Sequence, residues 1–472
     1  MDETINKRIN ARRLSIISFS LFSSWMLSFP FQGQILHSLM KQFSLNSEAF
    51  LLSGIIAQIS GLLLCGFFVK SINQAKQWLI VSFVFCITVS GMFFFPATNL
   101  WLPVIIGLGF ISGVFVAAWG FFYKIHTPKK DRMKTAADVL IYSNILMILI
   151  NVVTIYINLR VGLATGILML LLGLPFAIVL PTKAKDTEVK VNLNQDNPIN
   201  IMKPLVFLCL FIVVITINSG LMYQVIIPSY NSLEWLTSWY WALPYITALY
   251  VMRNLPQNTK RTYILYIALA MIAFAFMTFM SNNRSIFNYL LVNTLMMGAC
   301  GIFDLFWWSI LGELLDFHDN PAKVFGIGLS ANLLGVLLGL HIGKVMTSTE
   351  IQSLNPLMLS MAVVIISFLI LPPLHKSLSS LMEDHAFLKS FFERPVSVQE
   401  ETENIYKKFN GLSERESQVA SLLLQRKTYK MIAEELFISE NTVKYYVKNI
   451  YSKYHVQSRA ELIESILGNK NQ

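Results

Sequence analysis

Two lysines and a tyrosine near the C-terminus have the chemistry and the spacing of a nucleic-acid contact. Lys444 and Lys448 lie four residues apart, and Tyr445 lies between them in a segment whose apolar residues recur every three or four positions. On a helix, this spacing places the three side chains together on the face opposite the apolar stripe. Ammonium groups pair with phosphates or with base acceptors in the major groove, so the pattern predicts a contact to DNA.

Helix-start signals predict the small domain that must position these side chains. Ser413 precedes Glu416 by three residues, and Ser458 precedes Glu461 in the same way. Each pair predicts a capping box, in which the hydroxyl and the carboxylate satisfy backbone amides that a helix start leaves free. Ser439 ends a three-residue turn and begins the helix that carries the lysines. Two short helices joined by a tight turn are typical of a helix-turn-helix.

A longer motif in this region resembles the LuxR-type, or GerE-like, DNA-binding domain. It begins at Leu412 and reads LSERESQVASLLLQRKTYKMIAEELFISENTVKYYVKNIYSKYHVQSRAELI. The resemblance implies that Lys444, Tyr445 and Lys448 face the major groove of double-stranded DNA. It also implies three contacts to backbone phosphates, from Lys430, Asn441 and Thr442. In the family the fourth helix, here 459–467, pairs two domains on DNA, so a homodimer is implied.

The motif departs from the family pattern at a few positions. The usual glycine between the first two helices is Arg426, and the common histidine after the Thr-Val-Lys motif is Tyr446. The usual Leu-Gly pair before Val456 is Tyr454 and His455. These changes bear on affinity and sequence preference more than on the fold. A helix-turn-helix that docks a protein instead of DNA is the alternative interpretation.

Long apolar runs fill most of the remaining chain. Hydrophobic residues make up 54% of the 472 residues, charged residues make up only 14%, and the mean hydropathy is +0.55. Soluble proteins average about 25% charged residues, so the composition excludes a wholly soluble protein. A bilayer core needs about 20 apolar residues per helix. Twelve such spans are predicted at 14–36, 50–69, 78–96, 101–123, 136–158, 161–181, 204–227, 235–252, 262–281, 286–310, 324–346 and 355–374.

The spans form two sets of six, in the halves 1–181 and 204–375 of a membrane domain 1–375. A polar linker, 182–203, separates the halves, and a second one, 376–411, leads to the domain 412–472. This arrangement resembles the major facilitator superfamily, which implies two six-helix halves around a central cavity. The predicted fold class is therefore all-α, with a polytopic 12-helix membrane bundle (6+6) and a C-terminal four-helix LuxR-type domain.

Basic residues predict the orientation of the membrane part, because Lys and Arg near a span stay in the cytoplasm. With the N-terminus inside, the cytoplasmic segments of this part contain 19 Lys and Arg residues, and the opposite segments contain four. The four are Lys41, Arg160, Arg284 and Lys344. We therefore expect a multi-pass protein of the cell (inner) membrane with both termini in the cytoplasm.

Five residues inside the predicted spans are candidates for binding a small-molecule ligand: Asp304, Asn144, Asn151, Trp307 and His341. A carboxylate within a membrane is costly and often marks function, so Asp304 predicts either a contact to a cationic ligand or a structural ion pair. Asn144 and Asn151 share a helix face, where they either line a cavity or bond neighbouring helices. Trp307 is either part of a ligand-stacking wall or a residue of the interfacial belt.

The four cysteines lie in apolar runs without metal-ligand spacing, so no metal site is predicted. No nucleophile, metal cluster or glycine-rich phosphate loop stands out in the sequence, so neither a cofactor nor an enzymatic centre is predicted. We expect a membrane-bound one-component transcriptional regulator that senses a small molecule and binds DNA. The alternative is a secondary transporter with a fused regulatory domain. The loop after the second span keeps Gly66 and Lys70 of the superfamily's signature but lacks its acidic residue, which favours a sensor.

Overall fold

A computed structural model describes residues 2–31, 33–45, 47–182, 202–237, 239–255, 261–281, 284–347, 361–374, 412–424, 427–436, 438–459 and 461–462. The chain divides into two units: Met1–Thr187 with Asn194–Leu374, and Glu188–Leu193 with His375–Gln472. Within the described ranges, all regular structure is helical and no strand occurs. The predicted all-α fold class is confirmed.

Seven helices form the first half of the membrane unit: α1 (Asp2–Ser28), α2 (Gln34–Gln42), α3 (Ser47–Phe68), α4 (Ile72–Ser90), α5 (Trp101–His126), α6 (Arg132–Tyr156) and α7 (Leu159–Val179). Polar side chains begin two of them. Ser71 accepts a hydrogen bond from the backbone amide of Gln74 at the start of α4, and Asn158 accepts one from that of Arg160 before α7. Each cap satisfies an amide that has no partner inside its helix.

The second half contains α8 (Met202–Leu221), α9 (Glu234–Thr237), α10 (Ala242–Arg253), α11 (Arg261–Phe279), α12 (Ile286–Leu314), α13 (Pro321–Thr347) and α14 (Met361–Leu374). Across both halves, eight described helical segments are long and apolar enough to cross a membrane. Two shorter apolar helices lie at Ile264–Phe279 and Met361–Leu374. Each of the twelve predicted spans overlaps a described helix.

The boundaries of the first predicted span are wrong. Helix α1 extends back to Asp2 and ends at Ser28, and the remainder of 14–36 passes through a turn into the separate helix α2. Pro30 lies in this turn. The residue before a proline is disfavoured in the α conformation, which explains why the helix does not continue to residue 36.

The predicted span 204–227 ends in π-helical geometry, and a turn at 239–241 divides the predicted span 235–252. After α8, the chain continues as a π-helical segment, Met222–Ile226, and a 3₁₀ segment, Ile227–Leu233. The 3₁₀ segment contains Pro228, which lacks the N–H that an α-helix interior needs. The 3₁₀ segment lies almost wholly between the two predicted spans, so the sequence predicted a break at Pro228. It did not predict the π-helical geometry after α8 or the turn at 239–241.

Small residues allow α8 and α13 to approach each other closely. A Cβ atom on Gly339 of α13 would lie 2.2 Å from the carbonyl oxygen of Ile217 in α8, and one on Gly220 would lie 2.3 Å from that of Val336. Across the two halves, a Cβ on Gly326 of α13 would lie 2.1 Å from the carbonyl oxygen of Leu62 in α3. These crossings depend on glycine, as is common where membrane helices pack without a hydrophobic driving force.

The second unit contains α15 (Glu414–Leu424), α16 (Tyr429–Glu435) and α17 (Glu440–Lys453). They pack around their own core: Val419, Ala420, Leu422, Leu423, Ile432, Ala433, Val443, Val447, Ile450 and Leu462. Of the predicted fourth helix, 459–467, only residues 459, 461 and 462 lie within the described part. The three described helices have the order and lengths that a helix-turn-helix requires.

Gly339→Ala should destabilise the membrane unit, whereas Gly91→Ala should not. The new methyl group at 339 collides with the α8 backbone, and overpacking of this kind typically costs about 1–3 kcal/mol. A Cβ on Gly91 would meet nothing within 4 Å. We expect the melting temperature of the detergent-solubilised protein to fall by roughly 2 °C or more for Gly339→Ala alone. Equal melting temperatures for the two variants would contradict this account of the crossing.

Candidate ligand cavity and nucleic-acid interface

A cavity of about 210 Å³ lies between the two halves of the membrane unit. Its lining comes from α1, α3, α5 and α6 of the first half and from α8, α10, α12 and α13 of the second. Most of the lining is apolar or aromatic, with a few polar groups among these side chains. This is the usual composition of a site for a small organic molecule.

Asp304 is the central polar group of the cavity. One of its carboxylate oxygens, Oδ2, accepts a hydrogen bond of 2.7 Å from the Tyr245 hydroxyl. The other, Oδ1, accepts one of 3.2 Å from the indole nitrogen of Trp307. Asp304 and Trp307 lie on α12, whereas Tyr245 lies on α10. The orientation of the Asp304 carboxylate therefore depends on the packing of these two helices as well as on the sequence of α12.

The other sequence-predicted ligand residues divide into two groups. Asn144 lines the cavity, and its amide nitrogen donates to the carbonyl oxygen of Leu140 in its own helix at 2.8 Å. Asn151 is 6% exposed, is not among the lining residues, and its Oδ1 has no hydrogen-bond partner. His341 is exposed on α13 and also lies outside the lining. The structure therefore brings Asp304, Asn144 and Trp307 to one cavity, but not Asn151 or His341.

Aromatic rings from both halves form a continuous wall beside Asp304. The ring centroids of Trp307 and Trp308 are 5.8 Å apart, and Trp308 packs edge-on against Phe19 of α1 at 6.0 Å. Tyr223 and Trp241 also line the cavity. Phe19 and Tyr223 are not among the sequence-predicted residues, because nothing in their local sequence distinguishes a cavity face from an ordinary packed face.

A buried ion pair joins the two halves at the end of the bundle where α5 leads into α6. Both terminal nitrogens of Arg132 donate to the Asp316 carboxylate, at 2.8 and 2.7 Å, and one also donates to the carbonyl oxygen of Gly312 at 2.7 Å. Lys129 lies 3.0 Å from the same carboxylate. The Arg132 side chain is 4% exposed, so the bidentate pair is shielded from water. Sequence reasoning missed it because the partners are 184 residues apart.

Other polar contacts also join the halves. The Nε of Arg253, at the end of α10, donates to Asp138 of α6 at 2.6 Å. The side-chain amide of Asn320, just before α13, donates to the carbonyl oxygens of Gly66 and Val69 at 2.8 and 3.0 Å. The segment from Gly66, in the last turn of α3, to the start of α4 departs from the superfamily signature, and the Asn320 side chain holds it through two of its backbone carbonyls. Together with the buried ion pair, these bonds stabilise the contact between the two halves.

Helix α17 presents the predicted DNA-contact residues on one exposed face. Asn441, Lys444, Tyr445 and Lys448 are all exposed, and Tyr445 is 62% exposed. Their spacing of three and four residues places them on the same side of the helix. Thr442 is half-buried at the first turn. The side chain of Lys430 lies outside the described residues.

A capping bond at its start and an ion pair at its end hold α17 in place. At its start, Ser439 Oγ accepts from the Thr442 amide at 3.1 Å. At its end, Lys453 donates to Glu416 at 2.6 Å. The predicted capping box of α15 is also present, with Ser413 and Glu416 bonding each other's backbone amides at 3.3 and 2.7 Å. The hydrogen bonds from Lys453 and from the Ser413 backbone amide lower the pKa of Glu416, so this carboxylate is charged at neutral pH.

His455 ends α17 in a left-handed conformation, with φ = 53°. The amide of Val456 bonds the carbonyl oxygen of Tyr451 at 3.0 Å, and the amide of His455 bonds that of Ser452 at 3.4 Å. These two bonds define a Schellman motif, whose left-handed position is usually glycine. His455 is one of the departures from the family pattern noted in the sequence, and it adopts the glycine-like backbone despite its side chain.

The second predicted capping box begins the fourth helix. Ser458 Oγ accepts from the Glu461 amide at 3.2 Å, and the Glu461 carboxylate accepts from the Gln457 amide at 2.9 Å. Arg459 then donates to the carbonyl oxygens of Leu423 and Lys427, which connects this helix start to α15 and to the turn after it. The helix that is expected to pair two domains is thus anchored at its first turn.

Comparison with known families supports this assignment of the second unit. Residues 403–466 match the model of the bacterial regulatory proteins of the luxR family. The chain is 45% identical over 56 residues to the spore germination protein GerE of Bacillus subtilis, covering 76% of that protein and 12% of this chain. It is 39% identical over 61 residues to the transcriptional regulatory protein DesR of the same organism, covering 31% of that protein and 13% of this chain.

Comparison with solved structures concerns the membrane unit. The human organic anion transporter MFSD10 superposes with a TM-score of 0.60 at 13% identity, over 77% of this chain and 99% of that one. The proton:xylose symporter XylE of the major facilitator superfamily gives 0.59 at 12% identity, over 78% and 95% of the two chains. A bacterial homologue of the iron transporter ferroportin gives 0.56 at 12% identity, over 78% and 99%. At this identity the likeness establishes the fold of the superfamily.

Replacing His455 with glycine should stabilise the C-terminal domain. A residue with a Cβ loses roughly 1 kcal/mol or more in the left-handed conformation, and glycine removes this cost. We expect His455→Gly to raise the free energy of unfolding by about 0.5–1 kcal/mol, and His455→Val to lower it, because β-branched residues tolerate positive φ least. Urea unfolding of a 403–472 fragment would measure both, since GerE is a relative that extends little beyond this domain. Similar stabilities for glycine and valine would contradict the prediction.

Proposed function

We propose, because the chain belongs to the luxR family of bacterial regulatory proteins through its C-terminal domain, that it is a membrane-bound one-component transcriptional regulator. One polypeptide joins a membrane unit with the fold of the major facilitator superfamily to a DNA-binding domain. The single observation that carries the proposal is the exposed face of α17, which bears Lys444, Tyr445 and Lys448. In the same chain, the membrane unit contains a cavity. The membrane unit is the sensor, and the C-terminal domain is the output.

The proposed DNA contact follows from the placement of α17. Lys444, Tyr445 and Lys448 enter the major groove, where ammonium groups bond the acceptors of guanine and the tyrosine ring packs against bases. Asn441, Thr442 and Lys430 contact the phosphates on either side. Two domains pair through the fourth helix, so that a homodimer reads two half-sites.

The proposed sidedness follows from the distribution of basic residues. The excess of Lys and Arg in alternate loops places both termini in the cytoplasm of the cell, with the protein in the inner membrane. In this orientation, the contacts of Arg132 with Asp316 and of Arg253 with Asp138 close the cytoplasmic end of the bundle. The DNA-binding domain lies on the same side of the membrane as the chromosome.

Signal transmission then depends on two arrangements of the two halves. A small molecule in the cavity contacts both halves and shifts the population towards the arrangement that it binds more tightly. The segment 376–411 transmits this shift by changing how readily two C-terminal domains pair. The cross-half ion pairs set the balance between the two arrangements in the absence of a ligand.

A transporter with a fused regulatory domain is the second candidate function. The observation that favours it is the extent of the superposition, because the chain covers nearly the whole length of each transporter. Ligand-dependent uptake by the purified protein in proteoliposomes would support this candidate. Transcriptional control by a ligand without its uptake would support the sensor.

Changing Lys444 and Lys448 together to alanine should weaken DNA binding by the 403–472 fragment. Each base or phosphate contact of this kind contributes roughly 1–3 kcal/mol, so a loss of tenfold or more in affinity is expected. Fluorescence anisotropy with a duplex selected from a random pool would measure the loss and its salt dependence, which should become shallower. Arg415→Ala is the control, since Arg415 is exposed on α15 rather than on α17. Unchanged affinity of the double variant would favour the protein-docking interpretation.

Asp316→Asn should change the basal activity of the regulator. The substitution leaves Arg132 buried without its counter-charge, and breaking such a pair costs about 3–5 kcal/mol in the arrangement that contains it. We expect the expression of a reporter gene without ligand to change by about fivefold or more. Glu48→Gln is the matched control, because it removes the negative charge of the Lys344 pair, which also joins the halves but is exposed. Equal reporter levels for Asp316→Asn and Glu48→Gln would contradict the role of the buried pair.

A further inference from the structure

The charge balance of the cavity points to the chemistry of its ligand. Among the residues that line it in the described part of the chain, Asp304 is the only carboxylate, and none is Lys, Arg or His. The two groups that bond Asp304, the Tyr245 hydroxyl and the Trp307 indole, are neutral donors. They orient the carboxylate, but they do not compensate its charge.

An uncompensated carboxylate in an apolar cavity within the membrane is costly, and such groups usually pair with a cation or mark a functional site. The ion pair of Asp316 shows the surroundings of a carboxylate with a structural role in the same unit. Asp316 is held by Arg132 and Lys129, which supply positive charge directly. Asp304 has no such partner among the described residues of the cavity lining, so the cavity leaves the place beside its carboxylate open to a positive group of a ligand.

The walls of the cavity suit an organic cation rather than a metal ion. The aromatic rings of Trp307, Trp308, Tyr223 and Phe19 line the same space as Asp304. The faces of such rings attract a desolvated ammonium group, and they also bury apolar substituents. A metal ion bound directly by the protein would instead require several oxygen ligands from side chains or backbone carbonyls. No group of three or more potential metal-binding side chains occurs in the described part of the chain.

We propose that the cavity binds a small organic cation, a substituted or quaternary ammonium compound that carries an apolar or aromatic group, with Asp304 as its counter-charge. The inference rests on the proposed sensing role only in treating this cavity as the ligand site. The cavity of about 210 Å³ lies below the range of about 300–1,000 Å³ typical of drug-sized ligands. This volume favours a ligand with a single ring or a short chain.

A pair of probes of the same shape and different charge tests the proposal. Benzyltrimethylammonium is a permanent cation, and 2,2-dimethylpropylbenzene replaces its nitrogen with carbon. Binding of each to the purified full-length protein in nanodiscs can be followed by quenching of tryptophan fluorescence. We expect the wild-type protein to bind the cation about tenfold or more tightly than the neutral probe. Asp304→Asn should remove this preference without weakening the binding of the neutral probe.

Two further variants make the result specific. Asp304→Glu should retain the preference for the cation, because the charge is kept. Asp319→Asn removes an exposed carboxylate in the loop between α12 and α13, and should behave like the wild type. Failure of the cation to bind, equal binding of the two probes, or a preference that persists in Asp304→Asn would overturn the proposal. The measurement involves neither DNA nor transcription, so its failure is distinguishable from failure of the proposed regulatory function.

Discussion

The absence of water in the bilayer core is the constraint on which the membrane unit depends. Backbone amides and carbonyls there must find partners within the chain, and helices supply them locally. Hydrocarbon also provides no hydrophobic driving force between helices, so their packing relies on shape. The contact of Gly339 and Gly220 between α8 and α13 is one result. Where a proline interrupts this pattern, as Pro228 does, the chain changes to π and 3₁₀ geometry and remains helical.

The same constraint makes each charged group inside the unit informative. Arg132 and Asp316 meet as a bidentate pair between the halves, and Arg253 meets Asp138 across the halves through a single hydrogen bond. The partners of each pair lie on different halves, so both pairs depend on the relative position of the halves. Asp304 differs, because its partners in the protein are neutral and it lies beside an open volume. The first pattern joins the two halves, and the second is the basis of the proposed ligand site.

The C-terminal domain follows the rules of a small soluble domain, in which a core and a set of caps stabilise short helices. Val443 and Val447 bury one side of α17, and the opposite side remains exposed for DNA. His455 shows how much the backbone geometry is determined by the surrounding contacts. It occupies the left-handed position of a Schellman motif although its family usually has glycine there, since the helix end and the following Val456 fix the turn.

The sequence by itself determined the elements and their chemistry. Apolar length predicted the helices, capping residues such as Ser413 and Ser439 predicted where the short helices of the C-terminal domain start, and the spacing of Lys444 and Lys448 placed them on one face. These signals are local, so a single segment contains all the information. Only the tertiary structure decided which distant residues meet. It separated His341 from Asp304, joined Arg132 to Asp316 across 184 positions, and enclosed the cavity, because helix packing rather than periodicity determines which of several apolar faces point inward.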